Sequence, residues 1–201
     1  ERRLKASMRS LYIARSTELL KQYIASLTFE LTPDQLEAIN RIAETVQNGK
    51  RADILVQGDV GCGKTIVAIS ASVLMSENNY QTAVMAPTVL AEQHYQEFKK
   101  YLEPVGIHVV LLTSGMKKKE RDIVLSEIES GEAQVVVGTH SVISQDVVFK
   151  ALAMTIVDEE HRFGVNQRQL LREKANSGVH SISMTATPIP RTLAITLYGE
   201  N

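Results

Sequence analysis

Six short runs of β-branched or otherwise apolar residues punctuate the chain, at 54–56, 83–86, 109–112, 135–137, 155–157 and 182–184. Helix-patterned stretches lie between them near 64–77, 89–102, 117–130 and 163–175. Runs this short and this uniformly apolar fit strands buried on both faces, and an intervening helix is what a parallel sheet needs to return the chain to its starting edge. The expectation is an α/β, three-layer fold around a central, mostly parallel sheet. At 201 residues the chain is long enough to close one substantial core.

Ahead of this alternation, Leu4, Met8, Leu11, Tyr12, Leu19, Leu20, Tyr23, Ile24 and Leu27 recur at spacings of three, four and seven. That pattern predicts an amphipathic helix over residues 4–27. Thr32-Pro33-Asp34 then opens a second helix that runs through Val46 and is ended by Asn48-Gly49. The chain divides accordingly into an N-terminal amphipathic helical extension, residues 1–28, and a main lobe, residues 29–201. It starts without an initiator methionine and stops without a terminating pattern, and reads as a piece of something longer.

Gly58-Asp59-Val60-Gly61-Cys62-Gly63-Lys64-Thr65 satisfies the pattern GxxxxGK[ST] in full, directly after one predicted strand and directly before a predicted helix. Glycines let backbone N–H groups curl around a phosphate chain, and the helix N-terminus adds partial positive charge. Lys64 neutralises β- and γ-phosphates, and Thr65 offers a hydroxyl to magnesium. The implied cofactors are ATP and Mg2+.

The strand at 155–157 ends in Asp158-Glu159-Glu160-His161. Carboxylates at the carboxyl end of a parallel strand sit on the same sheet edge as the phosphate loop. Asp158 can hold magnesium there, and Glu159 can orient and deprotonate an attacking water. Such a pair serves small-molecule kinases, GTPases and motors alike. Pro87-Thr88, Gly138-Thr139-His140 and Thr185-Ala186-Thr187-Pro188 each follow an apolar run, so hydroxyl-bearing turns line that same edge.

In order and spacing, GDVGCGKT, PTVLAEQH, GTHSVI, DEEHRFGVNQR and TATPIPRT resemble motifs I, Ia, Ib, II and III of superfamily-two helicases. The resemblance covers residues from about 29 to 200. DEEHRFGV with TATPIPRTLA resembles, more narrowly, RecG-type helicases and the transcription-repair coupling factor Mfd; TLAITLYGE is more like RecG, whereas Glu160 is the commoner Mfd form.

The resemblance implies a RecA-like ATP-binding lobe of an ATP-dependent DNA helicase on branched or forked DNA, in recombination, repair and fork rescue. Alternatives are an Mfd-like double-stranded DNA translocase and a nucleotide sensor that does not hydrolyse. Intact Asp158 and Glu159 disfavour the sensor. By resemblance, Lys64, Asp158 and Glu159 are catalytic, and Thr65 with Asp158 holds magnesium. His161, Thr185 and Thr187 link nucleotide to DNA, and Pro87, Thr88, Thr139 and His140 touch the strand through hydroxyl and backbone N–H groups. Gln35, in Phe29-Glu30-Leu31-Thr32-Pro33-Asp34-Gln35, either reads adenine or is a solvated helix residue. Seventeen positions before it stands Glu18, where DEAD-box RNA helicases carry an aromatic residue. Arg162, Gln167 and Arg168 either add contacts or begin a salt-bridged helix. The expected partners are DNA, a second RecA-like lobe and a DNA-binding wedge of the same longer chain. Without the second lobe's arginine this lobe alone is expected to hydrolyse weakly.

A net charge of −1 does not announce a nucleic-acid binder. Positive charge is uneven, however: Arg2, Arg3, Lys5, Arg9, Arg15 and Lys21 stand against only Glu1 and Glu18 in the extension. That segment either lies beside DNA or packs its apolar stripe on the lobe. A single cysteine excludes an internal disulfide and a cysteine-based zinc cluster. No apolar run approaches the roughly 20 residues of a membrane span, so no membrane partner and a cytoplasmic location are expected.

Overall fold

The computed structural model describes residues 9–58, 63–158, 178–186 and 193–197. Its helices are α1 (Glu18–Ser26), α2 (Pro33–Gln47), α3 (Lys64–Glu77), α4 (Thr88–Leu102) and α5 (Lys118–Ser130). Its strands are β1 (Asp53–Gln57), β2 (Gln81–Met85), β3 (Val109–Leu112), β4 (Val135–Gly138), β5 (Leu152–Asp158), β6 (His180–Thr185) and β7 (Ala194–Leu197). All six apolar runs are strands of one parallel array, ordered β3-β4-β2-β5-β6-β1. The short β7, which sequence patterning does not signal, adds antiparallel to β1. The helix-patterned stretch near 163–175 lies outside the described residues.

Side chains leave a strand on alternate faces, and the core divides accordingly. Val84 joins a cluster with Leu20, Ile42, Ile69 and Phe98 from α1 to α4. Its neighbours Ala83 and Met85 join another, with Ile128 of α5 and Val142. The sheet is thus the middle of three layers.

Helix α3 follows the phosphate-loop motif and is apolar or small at nearly every position, so it has no face suited to water. From Ile66 to Ser76 it is buried throughout. Its serines are tolerated because Ser70 Oγ donates to the Ile66 carbonyl at 2.7 Å and Ser72 Oγ to that of Ile69 at 2.6 Å. Helices α1 and α2 cover α3 on the side away from the sheet.

The helix expected over residues 4–27 is shorter in the structure. Residues 9–17 are not helical, because their backbone donors are engaged elsewhere. Ser10 N–H donates to the Gly49 carbonyl at 3.0 Å and Ala14 N–H to that of Val46 at 3.3 Å. Arg15 and Ser16 N–H both donate to Asn78 Oδ1, at 2.7 and 3.0 Å. Helix α1 is then capped from a distance: the Glu77 carboxylate accepts from Leu19 N–H, Leu20 N–H and the Ser16 hydroxyl. An anion at the positive end of a helix dipole favours that start. Leu20 and Tyr23 are buried in the lobe's own core with Tyr12, Leu19, Ile24 and Leu27 packed against it, so this part of the apolar stripe packs, whereas Leu11 is exposed.

His180, fully buried at the start of β6, fastens this N-terminal segment to the sheet. Its Nδ1 accepts from Ala52 N–H at 2.9 Å, which fixes the proton on Nε2, and Nε2–H donates to the Tyr12 carbonyl at 2.8 Å. Burial holds its pKa below the ordinary 6.5; the Tyr12 carbonyl opposes that shift and the charge of Arg51 adds to it. The unfolded chain therefore takes up the proton at higher pH than the folded one. Stability from this joint is fully present above about pH 6.5 and is lost as pH falls below it. Between about pH 7.5 and about pH 5.5 the urea-unfolding midpoint should drop more for the parent than for His180→Asn, which cannot titrate. An equal drop in the two proteins would contradict the assignment.

Candidate active site

Because β1 to β6 are parallel, their carboxyl ends share one edge, where ligands bind in open α/β sheets. Register fixes the order of groups along it. Gln57 lies opposite Thr185, Asp158 opposite Met184, and Met85 opposite both Val157 and Gly138. Following the strands from β4 to β1, the edge therefore presents His140, Thr88, Asp158, Thr185 and Lys64 in turn.

At the β1 end, the Thr185 carbonyl accepts from Gly58 N–H at 3.1 Å and from Lys64 Nζ at 3.0 Å. The end of β6 is thereby tied to the end of β1 and to the first residue of α3. Gly63 precedes that helix with φ +86°, and it has no side chain with which to cap the first turn. The leading N–H groups of α3 are left for an anion. Thr65 is half-buried one residue further on.

Gln35 is 6% exposed, so its solvated alternative is set aside. Its Oε1 accepts from Thr32 N–H at 2.9 Å, and the Thr32 hydroxyl accepts from Gln35 N–H at 3.2 Å, a reciprocal cap at the start of α2. Its Nε2 donates to the Gly63 carbonyl at 3.4 Å. A Cβ added at Gly63 would run into that same amide. The glutamine thus packs against the last glycine of the phosphate loop.

Asp158 closes β5 and is half-buried. His94 Nε2 lies 2.9 Å from its Oδ2. An ionised carboxylate only accepts, so the proton is on Nε2. Sequence reasoning passed over His94, although a signal existed: with Ala91, Phe98 and Leu102 it stands in the buried stripe of α4. A histidine in such a stripe needs a polar partner.

The predicted strand contacts fall on the same edge with unequal exposure. Pro87 caps α4 and is half-buried, while Thr88 and His140 are exposed. Thr139 is 2% exposed and its hydroxyl faces Ser141 at 3.5 Å, so it shapes the loop and does not point outward. The turn after β4 buries this side chain. Thr185 is half-exposed on the edge. Asp59, Val60, Gly61, Cys62, Glu159, His161 and Thr187 lie outside the described residues, as do Arg162, Gln167 and Arg168.

Residues 32–195, most of the lobe, match the DEAD/DEAH box helicase family. The chain belongs to that family. Within it, the chain is 44% identical over 186 residues to the ATP-dependent DNA helicase RecG of Borreliella burgdorferi, covering 92% of this chain and 27% of that protein. It is 45% identical over 185 residues to RecG of Aquifex aeolicus, covering 91% of this chain and 23% of the relative. A structure of RecG bound to a three-way DNA junction superposes with a TM-score of 0.80 at 34% identity, over 94% of this chain and 25% of that one. The UvsW helicase of bacteriophage T4, at 18% identity and a TM-score of 0.62 over 90% of this chain and 62% of that one, shares the fold. This helicase-family chain spans about a quarter of the length of its RecG relatives.

The geometry at Gly63 makes two separate demands, a left-handed φ and room for the Gln35 amide. Gly63→Ala should unfold more easily by about 1–2 kcal/mol, the cost of the left-handed conformation to an L-residue. In a Gln35→Ala background, which lacks both the amide and its cap, Gly63→Ala should still lower the urea midpoint relative to Gln35→Ala alone, because φ is unchanged. No further drop there would show that crowding alone imposes the glycine.

Proposed function

We propose that this chain is the ATP-binding motor lobe of an ATP-dependent DNA helicase of RecG type, acting on branched or forked DNA in recombination, repair and fork rescue. The observation that carries the reading is the order of groups along one sheet edge. The phosphate-loop lysine lies at one end, exposed Thr88 and His140 at the other, and Asp158 between them. A motor needs nucleotide and track to be read by the same rigid body, and this edge provides that. The RecG relatives support the RecG reading over the Mfd-like one.

The donor set fits Mg2+: the Asp158 carboxylate at the end of β5 and the Thr65 hydroxyl on the helix that follows β1 are hard oxygen ligands, and the two strands are separated by β6 alone. When bound with ATP, the ion neutralises phosphate charge. Lys64 would release the Thr185 carbonyl to meet the β- and γ-phosphates, and the leading N–H groups of α3 would hold the phosphate chain. Glu159 would take the proton of the attacking water. Asp59, Val60, Gly61 and Cys62 complete the loop, and Gln35, beside Gly63, reads the adenine. His161, Thr185 and Thr187 carry the state of the nucleotide to the strand, which Pro87, Thr88 and His140 hold by its phosphates without reading bases. A second lobe supplies the arginine that stabilises the transferred phosphoryl group, and a wedge of the longer chain engages the DNA branch. The extension, residues 1–28, joins that wedge to the lobe, residues 29–201. Among the described residues no helix is long and apolar enough to cross a membrane. A cytoplasmic location is what the proposed work on DNA calls for.

Two substitutions in the full natural protein separate binding from chemistry. Lys64→Ala should weaken ATP binding by about tenfold or more in calorimetric titration, through loss of a charge-assisted contact. Glu159→Gln should keep that affinity while slowing phosphate release by about 10². Parental affinity in the first or parental turnover in the second would overturn the corresponding role.

A further inference from the structure

His94 stands six residues after Thr88 on α4, about 9 Å along the helix axis. Thr88 is exposed at the edge, whereas the side chain of His94 is 11% exposed and faces an Asp158 side chain that is 15% exposed. One rigid helix thus carries an exposed hydroxyl at its first turn and, on its buried stripe, the donor that meets the end of β5. Among the described residues, His94 Nδ1 has no hydrogen-bond partner, so the ring's directional tie is the one through Nε2. If the histidine served packing alone, an apolar residue would fill the stripe without leaving a ring nitrogen unsatisfied.

Resting on the metal role proposed for Asp158, we infer that His94 is a positioning residue for this carboxylate. Through Nε2–H it sets the direction of the Asp158 carboxylate that would hold the ion. It also makes that direction depend on the placement of α4. A strand drawn against Thr88 would shift α4 as a body, and the shift would reach Asp158 through this hydrogen bond. Groups that orient a metal ligand in this way commonly change metal affinity by about 10–100-fold when removed.

The geometry prescribes a discriminating series. Glutamine places its Nε2 close to the position of the histidine Nε2, asparagine reaches only as far as Nδ1, and leucine fills the space with no donor. In the full natural protein saturated with ADP, Mn2+ is titrated and the free ion read by electron paramagnetic resonance, with thermal melting to confirm folding. His94→Leu and His94→Asn should weaken Mn2+ retention by about tenfold, and His94→Gln should stay within about threefold of the parent. The ratio of DNA-stimulated to basal ATP turnover should fall and recover in the same order. Parental Mn2+ affinity in folded His94→Leu, or equal loss in the glutamine and asparagine proteins, overturns the inference. If the leucine protein does not fold, the glutamine and asparagine pair decides. Asp158→Asn separates the two levels. Unchanged Mn2+ affinity there removes the metal role of Asp158 and this inference with it, whereas a loss there without a loss in the His94 series removes this inference alone.

Discussion

The structure depends on where β5 falls in the sheet. Chain order would set consecutive strands side by side, but β1 is separated from β2 by β5 and β6. Strand β5 therefore divides the ends bearing Gly58, Lys64 and Thr185 from those bearing Thr88 and His140. Asp158, the last residue of β5, stands at the boundary. Its neighbours include His94 of α4, whose Nε2 lies 2.9 Å from Oδ2. Coupling between distant sites needs a physical connection with more than one arrangement, and the contact between α4 and the end of β5 is the one proposed for it.

The Lys64 end of this edge is enclosed for a different reason. Helix α3 is enclosed by the sheet on one side and by α1 and α2 on the other, so Lys64 and Thr65 leave a body that has little freedom to tilt. The far end of the same helix is clamped by Glu77 and Asn78, which bind the backbone of residues 15–20. His180 adds a third fastening by holding Tyr12 to the start of β6. These fastenings tie the N-terminal segment to α3 and to the start of β6.

Much of this was legible in the sequence because it is local. The strands at 54–56 and 135–137 are short β-branched runs, and Thr32-Pro33-Asp34 states a helix start in three residues. The positions of Lys64 and Asp158 on one sheet edge were legible because a glycine-rich loop pattern and an acidic strand end each fix position along with residue type. What was not legible is set by contacts distant in sequence. The segment before α1 has the apolar spacing of a helix, yet Gly49, Val46 and Asn78 capture its donors and keep it from being one. Thr139 has the composition of an exposed contact and is buried by the turn that follows β4. Gln35 was read as facing either adenine or water, and it packs against Gly63. The resemblance to helicases passed over His94 because the motif that contains it was read for its first two residues.

The central claim is that one sheet edge carries both the nucleotide and the nucleic-acid strand. Placing a photoreactive side chain singly at Thr88, at His140, and at Glu132 just before the opposite end of β4, then irradiating the full natural protein with single-stranded DNA and a non-hydrolysable ATP analogue, tests it most directly. The account predicts cross-links from Thr88 and His140 and none above background from Glu132. Cross-linking from Glu132 equal to that from the other two would place the strand away from the edge and contradict the account.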